Sequence, residues 1–230
     1  MNDLPESRFA DPVWHALQSE HRRFAVRAGD ACRYPAAVAP FVAVAAPTAS
    51  ALRELSSLLA RGEFVWLFAE NLPAVPEICV AGTLECLQMV LPAKVTPPSA
   101  AAENLRLGAG DVPEMLALTE LAFPGFFRTR TCEMGAYYGV RLQGELVAMG
   151  GERLKLEGYP EVSGVCTHPA HRGKGFSASI IWQLVREHRR AGLVSWLHVG
   201  AANTHAVGIY RRLGFEVVRA ITITRICRAD

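Results

Sequence analysis

The sequence has almost no excess of charge of either sign. Its 230 residues contain 24 Lys and Arg against 22 Asp and Glu, which gives a formal net charge of +2. Proteins that bind nucleic acid normally need a strongly basic face. The densest basic run, residues 186–190, also contains Glu187 and His188, and we interpret it as a solvated helix face. We therefore expect no nucleic-acid partner.

The sequence also lacks paired cysteines and a long apolar run, and we expect no signal peptide at its start. Its six cysteines are scattered without any C-x-x-C pair, so we expect free thiols in a reducing cytoplasm. The opening residues MNDLPESRF have neither the basic start nor the apolar core of a signal peptide. The uncharged stretch 34–52 contains three prolines, so we predict no membrane span.

Residues 159–177 predict a strand, a glycine-rich turn and the start of a helix. The turn matches neither the dinucleotide pattern G-x-G-x-x-G nor the P-loop pattern. It reads instead R-x-x-G-x-small, from Arg172 through Gly173 and Gly175 to Ser177. A helix N-terminus has unpaired N–H groups and a partial positive charge, and glycine allows a ligand to approach the backbone closely. The sequence therefore predicts an anion site at this turn.

A second motif follows this turn in the run NTHAVGIYRRLGF. Its marked positions are Asn203, Ala206, Tyr210, Gly214 and Phe215. The ordered pair of motifs resembles the GNAT N-acyltransferase superfamily over roughly residues 105–227, with Ser177 standing where that family usually has Gly or Ala. The resemblance implies an α+β fold with a central mixed, mostly antiparallel sheet.

The resemblance also implies a cofactor site. In the superfamily the turn binds the pyrophosphate of acyl-CoA, the preceding strand bonds the pantetheine arm through its backbone, and the second motif lies along that arm. This implies acetyl-CoA as co-substrate and no metal. The implied cofactor-binding residues are Val165, Cys166, Thr167, Arg172, Gly173, Lys174, Gly175, Phe176, Ser177, Asn203 and Tyr210.

The implied reaction moves an acetyl group from acetyl-CoA to a primary amine of a small molecule or amino acid by direct attack. An aliphatic amine with a pKa of about 8 to 10 is mostly protonated at pH 7, so a base helps. Glu161 on the central strand is our first candidate and Glu152 our second. Tyr210 is the predicted general acid for the leaving thiolate.

The first half of the chain has no phosphate-binding turn. Residues 1–92 predict a small α/β lobe, residues 93–104 a linker rich in Pro, Ala and Ser, and residues 105–230 the acetyltransferase domain. The lobe includes predicted strands at 41–45, 64–69 and 83–91. By analogy with two-lobed members of the family, we expect the lobe to be a degenerate acyltransferase half that packs on the active one.

Several alternatives remain open at this point. A non-catalytic CoA-binding or regulatory protein would share the motifs, and an adaptor would use the first half to bind a protein partner and keep only a vestigial turn. Cys166, His168 and His171 are possible zinc ligands, but no fourth ligand is near them. Homodimerisation is plausible.

The acceptor site carries no motif of its own. Six residues occupy the region that usually walls it in the family: Phe126, Phe127, Arg128, Arg130, Tyr137 and Tyr138. An arginine there would suit an acceptor with a carboxylate, although Arg128 and Arg130 also fit solvated loop positions.

Overall fold

The computed structural model describes residues 6–98 and 104–229. Its α-helices are α1 (Glu6–Ala10), α2 (Pro12–Gln18), α3 (Ala49–Ser57), α4 (Val112–Ala122), α5 (Phe176–Arg190) and α6 (Thr204–Arg212). Its strands are β1 (Val26–Ala28), β2 (Ala31–Arg33), β3 (Phe41–Val44), β4 (Phe64–Leu67), β5 (Ile78–Val90), β6 (Leu105–Leu107), β7 (Tyr137–Leu142), β8 (Glu145–Leu156), β9 (Tyr159–Thr167), β10 (Trp196–Gly200) and β11 (Glu216–Arg228).

All eleven strands form one sheet in the order β1-β2-β3-β4-β11-β5-β10-β9-β8-β7-β6. Neighbouring strands are antiparallel except for the pairs β3–β4 and β9–β10, which are parallel. This confirms the predicted α+β class with a mixed, mostly antiparallel sheet. The structure adds α1, β1 and β2, for which the sequence analysis had no signal.

The two halves of the chain exchange strands within this sheet. Strand β5, from the first half, lies between β10 and β11 of the second half. Strand β11, from the second half, pairs in turn with β4. The division at residues 1–92, 93–104 and 105–230 stays a prediction, and residues 99–103 of the predicted linker lie outside the described residues.

Local sequence signals explain where the helices beside the site begin. The Asp11 carboxylate accepts a hydrogen bond from the Trp14 N–H at 2.9 Å, and Pro12 occupies the first turn of α2. The Asn203 side chain accepts from the Ala206 N–H at 3.1 Å and caps α6. Both ends follow the expected capping chemistry.

The sheet is covered by apolar clusters on both faces, and β10 contributes to each. Trp196 packs with Phe9 and Phe41 of the first half. Leu197 points the other way and packs on the buried stripe of α5, which includes Ile181 and Leu184. This alternation fixes β10 at the centre of the molecule, next to the predicted site.

Candidate active site

Strands β9 and β10 lie side by side for only one residue pair. They pair in parallel at Glu161 and Trp196. Strand β10 is paired along its length with β5 on its other side. Beyond Glu161 the facing edge of β9 has no ladder partner among the described residues, so its backbone N–H and C=O groups are available to a ligand.

A gap therefore opens between β9 and β10 beyond Glu161. Strand β9 carries a bulge beside this gap. Two of its residues, Gly164 and Val165, stand opposite the single residue Gly150 of β8. Gly164 has φ of 66°, a left-handed conformation that other residues rarely adopt. A bulge bends a strand and redirects its backbone groups, here at the mouth of the gap.

A cavity of about 830 Å³ lies between the open edge of β9, the glycine-rich turn and α6. Its lining includes every residue that the resemblance assigned to the cofactor: Val165, Cys166, Thr167, Arg172, Gly173, Lys174, Gly175, Phe176, Ser177, Asn203 and Tyr210. The structure therefore brings the two motifs together in one cavity.

The glycine-rich turn forms an open backbone cradle at one end of the cavity. Gly173 and Gly175 have φ of 77° and 79°, and a Cβ at either position would meet no atom within 4 Å. The first paired amide of α5 is that of Ser179, which donates to the Gly175 carbonyl at 3.0 Å. The amides of residues 176–178 precede it and have no intrahelical acceptor. The cradle therefore suits a diphosphate.

Ser177 is tied to the preceding strand. Its hydroxyl lies 2.8 Å from the Thr167 hydroxyl, and the two form a hydrogen bond between α5 and the end of β9. The side chain that departs from the usual Gly or Ala thus has a partner within the protein.

Tyr210 lies half-buried on α6 and lines the cavity. Burial, together with a smaller contribution from the Glu161 carboxylate, raises the pKa of its phenol to about 12. The hydroxyl therefore keeps its proton throughout the neutral range. Cys166 also lines the cavity, but burial raises the pKa of its thiol to about 12, so it is not a nucleophile at neutral pH.

Glu161 is completely buried at the point where β9 and β10 meet. Arg153 holds its carboxylate with two hydrogen bonds of 3.0 and 2.7 Å, and His198 Nδ1 lies 2.8 Å from Oε1. Burial by itself raises the pKa of Glu161. The Arg153 charge and the hydrogen bonds from His198 and Arg153 outweigh burial and hold the pKa well below its usual range. Glu161 does not line the cavity.

Glu152 lies in a second buried cluster on β8. Its carboxylate accepts hydrogen bonds from the Ala136 N–H and from His188 Nε2, each at 2.8 Å, and forms an ion pair with Lys155. Burial raises its pKa, but these contacts outweigh burial and bring the pKa down to about 2. Like Glu161, it lies outside the cavity lining.

Comparisons with known proteins agree with this geometry. A family model described as FR47-like protein matches residues 137–223. A protein from Novosphingobium aromaticivorans DSM 12444, named for the GNAT acetyltransferase family, is 36% identical and aligns over 96% of this chain and 99% of its own, with a TM-score of 0.87. This chain belongs to the GNAT family.

A more distant GNAT structure supports the fold alone. The GCN5-related N-acetyltransferase from Kribbella flavida is 21% identical, covers 97% of this chain and 95% of its own, and has a TM-score of 0.62. No curated protein matches the sequence.

In this GNAT chain the polar residues around Glu161 include two that the sequence analysis did not single out. Arg153 reaches Glu161 across the β8–β9 hairpin, and Gln88 of β5 donates to His198 Nε2 at 3.0 Å and to the Phe9 carbonyl at 2.7 Å. The turn at residue 158 is a sequence signal for the hairpin, but no pattern indicates that β5 lies beside β10.

The six residues predicted to wall the acceptor site have different surroundings. Arg130 is exposed and pairs with Glu133 at 2.7 Å. The Tyr138 hydroxyl bonds Glu187 at 2.6 Å, and Phe127 packs edge-on against Tyr137. Phe126 stacks on Trp66 of β4, with ring centroids 5.4 Å apart. Arg130 and Tyr138 therefore have structural partners of their own.

No group of three or more His, Cys, Asp or Glu in residues 6–98 and 104–229 is arranged to hold a metal ion. None of the helices described is both long and apolar enough to cross a bilayer.

Proposed function

We propose that this GNAT protein transfers an acetyl group from acetyl-CoA to a primary amine of a small molecule or an amino acid. The observation that carries the proposal is the cavity that gathers both motifs around the open edge of β9. The glycine cradle would receive the pyrophosphate, and the edge of β9 from Val165 to Thr167 would bond the pantetheine arm. The gap between β9 and β10 would hold the thioester.

The proposed chemistry is a direct transfer. The amine nitrogen attacks the thioester carbon and forms a C–N bond while the C=O π electrons move onto oxygen. The C=O bond then re-forms, the C–S bond breaks, and the CoA thiolate leaves. One proton departs from the nitrogen and one is added to the sulfur, so Tyr210, always protonated near pH 7, is the proposed donor to sulfur. Holding both reactants in the gap supplies a large part of the rate.

Glu161 remains our first candidate for the base and Glu152 our second. Both carboxylates have a lowered pKa and several hydrogen bonds inside the protein, so each is a weak base. We therefore expect kcat/KM for the acceptor to rise with pH toward the pKa of the amine itself, about 8 to 10. A plateau already above pH 6 would instead indicate a base with a pKa near neutrality.

Other features of the proposal rest on the sequence alone. The cytoplasm is the proposed compartment, a small-molecule amine is the proposed partner in catalysis, and a homodimer stays a prediction.

The first test is calorimetric titration of the purified protein with acetyl-CoA, with dephospho-CoA and ATP as comparison ligands. We expect saturable one-to-one binding of acetyl-CoA, followed by thiol release with at least one member of an amine panel. Binding without turnover on any amine would favour a regulatory CoA-binding protein. No binding at all would favour an adaptor with a vestigial turn.

A further inference from the structure

Tyr137 on β7 has a hydroxyl that is buried without a partner. The residue is 1% exposed, and its hydroxyl has no hydrogen bond to any described residue. Leaving a buried hydroxyl unpaired costs about 1–3 kcal/mol, and phenylalanine would avoid that cost. Such a group in a folded protein calls for an explanation.

Two glycines fix the position of the Tyr137 ring. A Cβ on Gly151 would lie 2.3 Å from the Cδ1 atom of Tyr137. A Cβ on Gly164 would lie 3.2 Å from the Cε1 atom of Tyr137 and 3.8 Å from its hydroxyl. Phe127 packs edge-on against the ring at a centroid distance of 5.6 Å. The ring therefore has little room to move, and its hydroxyl lies against Gly164, in the bulge of β9.

The hydroxyl lies behind the wall of the cavity, beside the part of β9 that is proposed to hold the acyl end of the cofactor; Tyr137 itself is outside the lining of the ligand-free cavity. Gly164 precedes Val165, the first residue of β9 to line the cavity. Burial raises the pKa of Tyr137 well above its usual range, so the group is a hydrogen-bond donor at any pH at which the protein works.

We propose that the Tyr137 hydroxyl donates a hydrogen bond to the carbonyl oxygen of the transferred acyl group. This inference rests on the proposed function. When the amine attacks, negative charge collects on that oxygen, and a fixed donor stabilises it more strongly than it stabilises the neutral thioester. Tyr137 keeps its proton throughout, so it adds no proton-transfer step to the reaction.

The test compares Tyr137→Phe with Tyr34→Phe. Tyr34 follows β2 and is also fully buried, but its hydroxyl lies 2.8 Å from His21 Nδ1, and it does not line the cavity. Each variant removes one oxygen atom. Tyr34→Phe breaks a buried hydrogen bond, whereas Tyr137→Phe removes a group that has none to lose.

For Tyr137→Phe we expect kcat to fall by roughly 10- to 100-fold, as for loss of one oxyanion donor, with the Kd for acetyl-CoA unchanged within about twofold. Its Tm should equal or exceed that of the wild type. Tyr34→Phe should have a lower Tm and a kcat within about twofold of the wild type.

Each other outcome has a distinct meaning. A Tyr137→Phe variant with wild-type kcat would overturn the inference alone and leave an ordered water as the partner of the hydroxyl. A lowered Tm in that variant would also overturn it, because the hydroxyl would then have a partner in the ligand-free protein. Wild-type protein that neither binds acetyl-CoA nor releases thiol would overturn the proposed function together with the inference.

Discussion

The cavity beside α5 and α6 and the polar cluster formed by Glu161, Arg153, His198 and Gln88 are built in opposite ways. The cavity end that suits a diphosphate consists of backbone and empty space, since Gly173 and Gly175 have no atom within 4 Å of a would-be Cβ. The cluster around Glu161 is closely packed, with Arg153 and His198 both on one carboxylate. Substitutions in the glycine cradle should therefore alter binding, and substitutions in the cluster should alter stability.

The largest effect should come from Gly175→Glu. A carboxylate about 4 Å from a bound phosphate near the surface repels it by about 4 kcal/mol, roughly a thousandfold in the Kd for acetyl-CoA. Gly175→Ala is the matched control, because both variants strain the same left-handed backbone but only one adds charge. Calorimetry should find the alanine variant much closer to the wild type. Equal losses in both variants would mean that backbone conformation, and not charge, governs binding.

Glu161→Gln should have the largest effect on stability. The change leaves the buried Arg153 guanidinium without its counter-charge, which typically costs about 3–5 kcal/mol of the free energy of unfolding. Glu157→Gln is the control, because Glu157 forms an exposed ion pair with Arg8 at 3.2 Å and such pairs contribute at most about 1 kcal/mol. Urea unfolding measures both. Similar losses would contradict the contrast between cavity and cluster.

Tyr210→Phe should act on the reaction and not on binding. Loss of the proposed proton donor should lower kcat by about tenfold, equivalent to about 1.4 kcal/mol, with the Kd for acetyl-CoA within about twofold of the wild type. Thiol-release kinetics and calorimetry give the two quantities. If kcat is unchanged, Tyr210 is a structural residue of α6.

The smallest effect should come from Ser177→Ala, which restores a residue usual in the family. The variant loses the hydrogen bond to Thr167 and about 0.5–1.5 kcal/mol of stability, while acetyl-CoA affinity should change by less than about threefold. Ser179→Ala on the same helix is the control, since its hydroxyl lies 3.2 Å from the Asn104 amide nitrogen. A tenfold loss of affinity specific to Ser177→Ala would show that its hydroxyl contacts the phosphate.

The strand exchange between the halves bears on the role of the first half. Strand β5 supplies Gln88 to the cluster at the β9–β10 junction, and the Gln88 side chain donates a hydrogen bond to the Phe9 carbonyl. The first half therefore contacts the residues that flank the proposed thioester site. Its description as a degenerate acyltransferase lobe stays a prediction.

The sequence by itself determined the family, the fold class and the motif residues that line the cavity, because each motif is continuous and dictates its own backbone conformation. Glycines set the turn between β9 and α5, and Asn203 caps α6. The cluster around Glu161 was decided only by the tertiary structure. Its members come from four strands, β5, β8, β9 and β10, and Gln88 and His198 are 110 positions apart, so their contact depends on the order and register of strands in the sheet. The unpartnered Tyr137 hydroxyl belongs to the same class, because whether a tyrosine finds a partner depends on what packs around it.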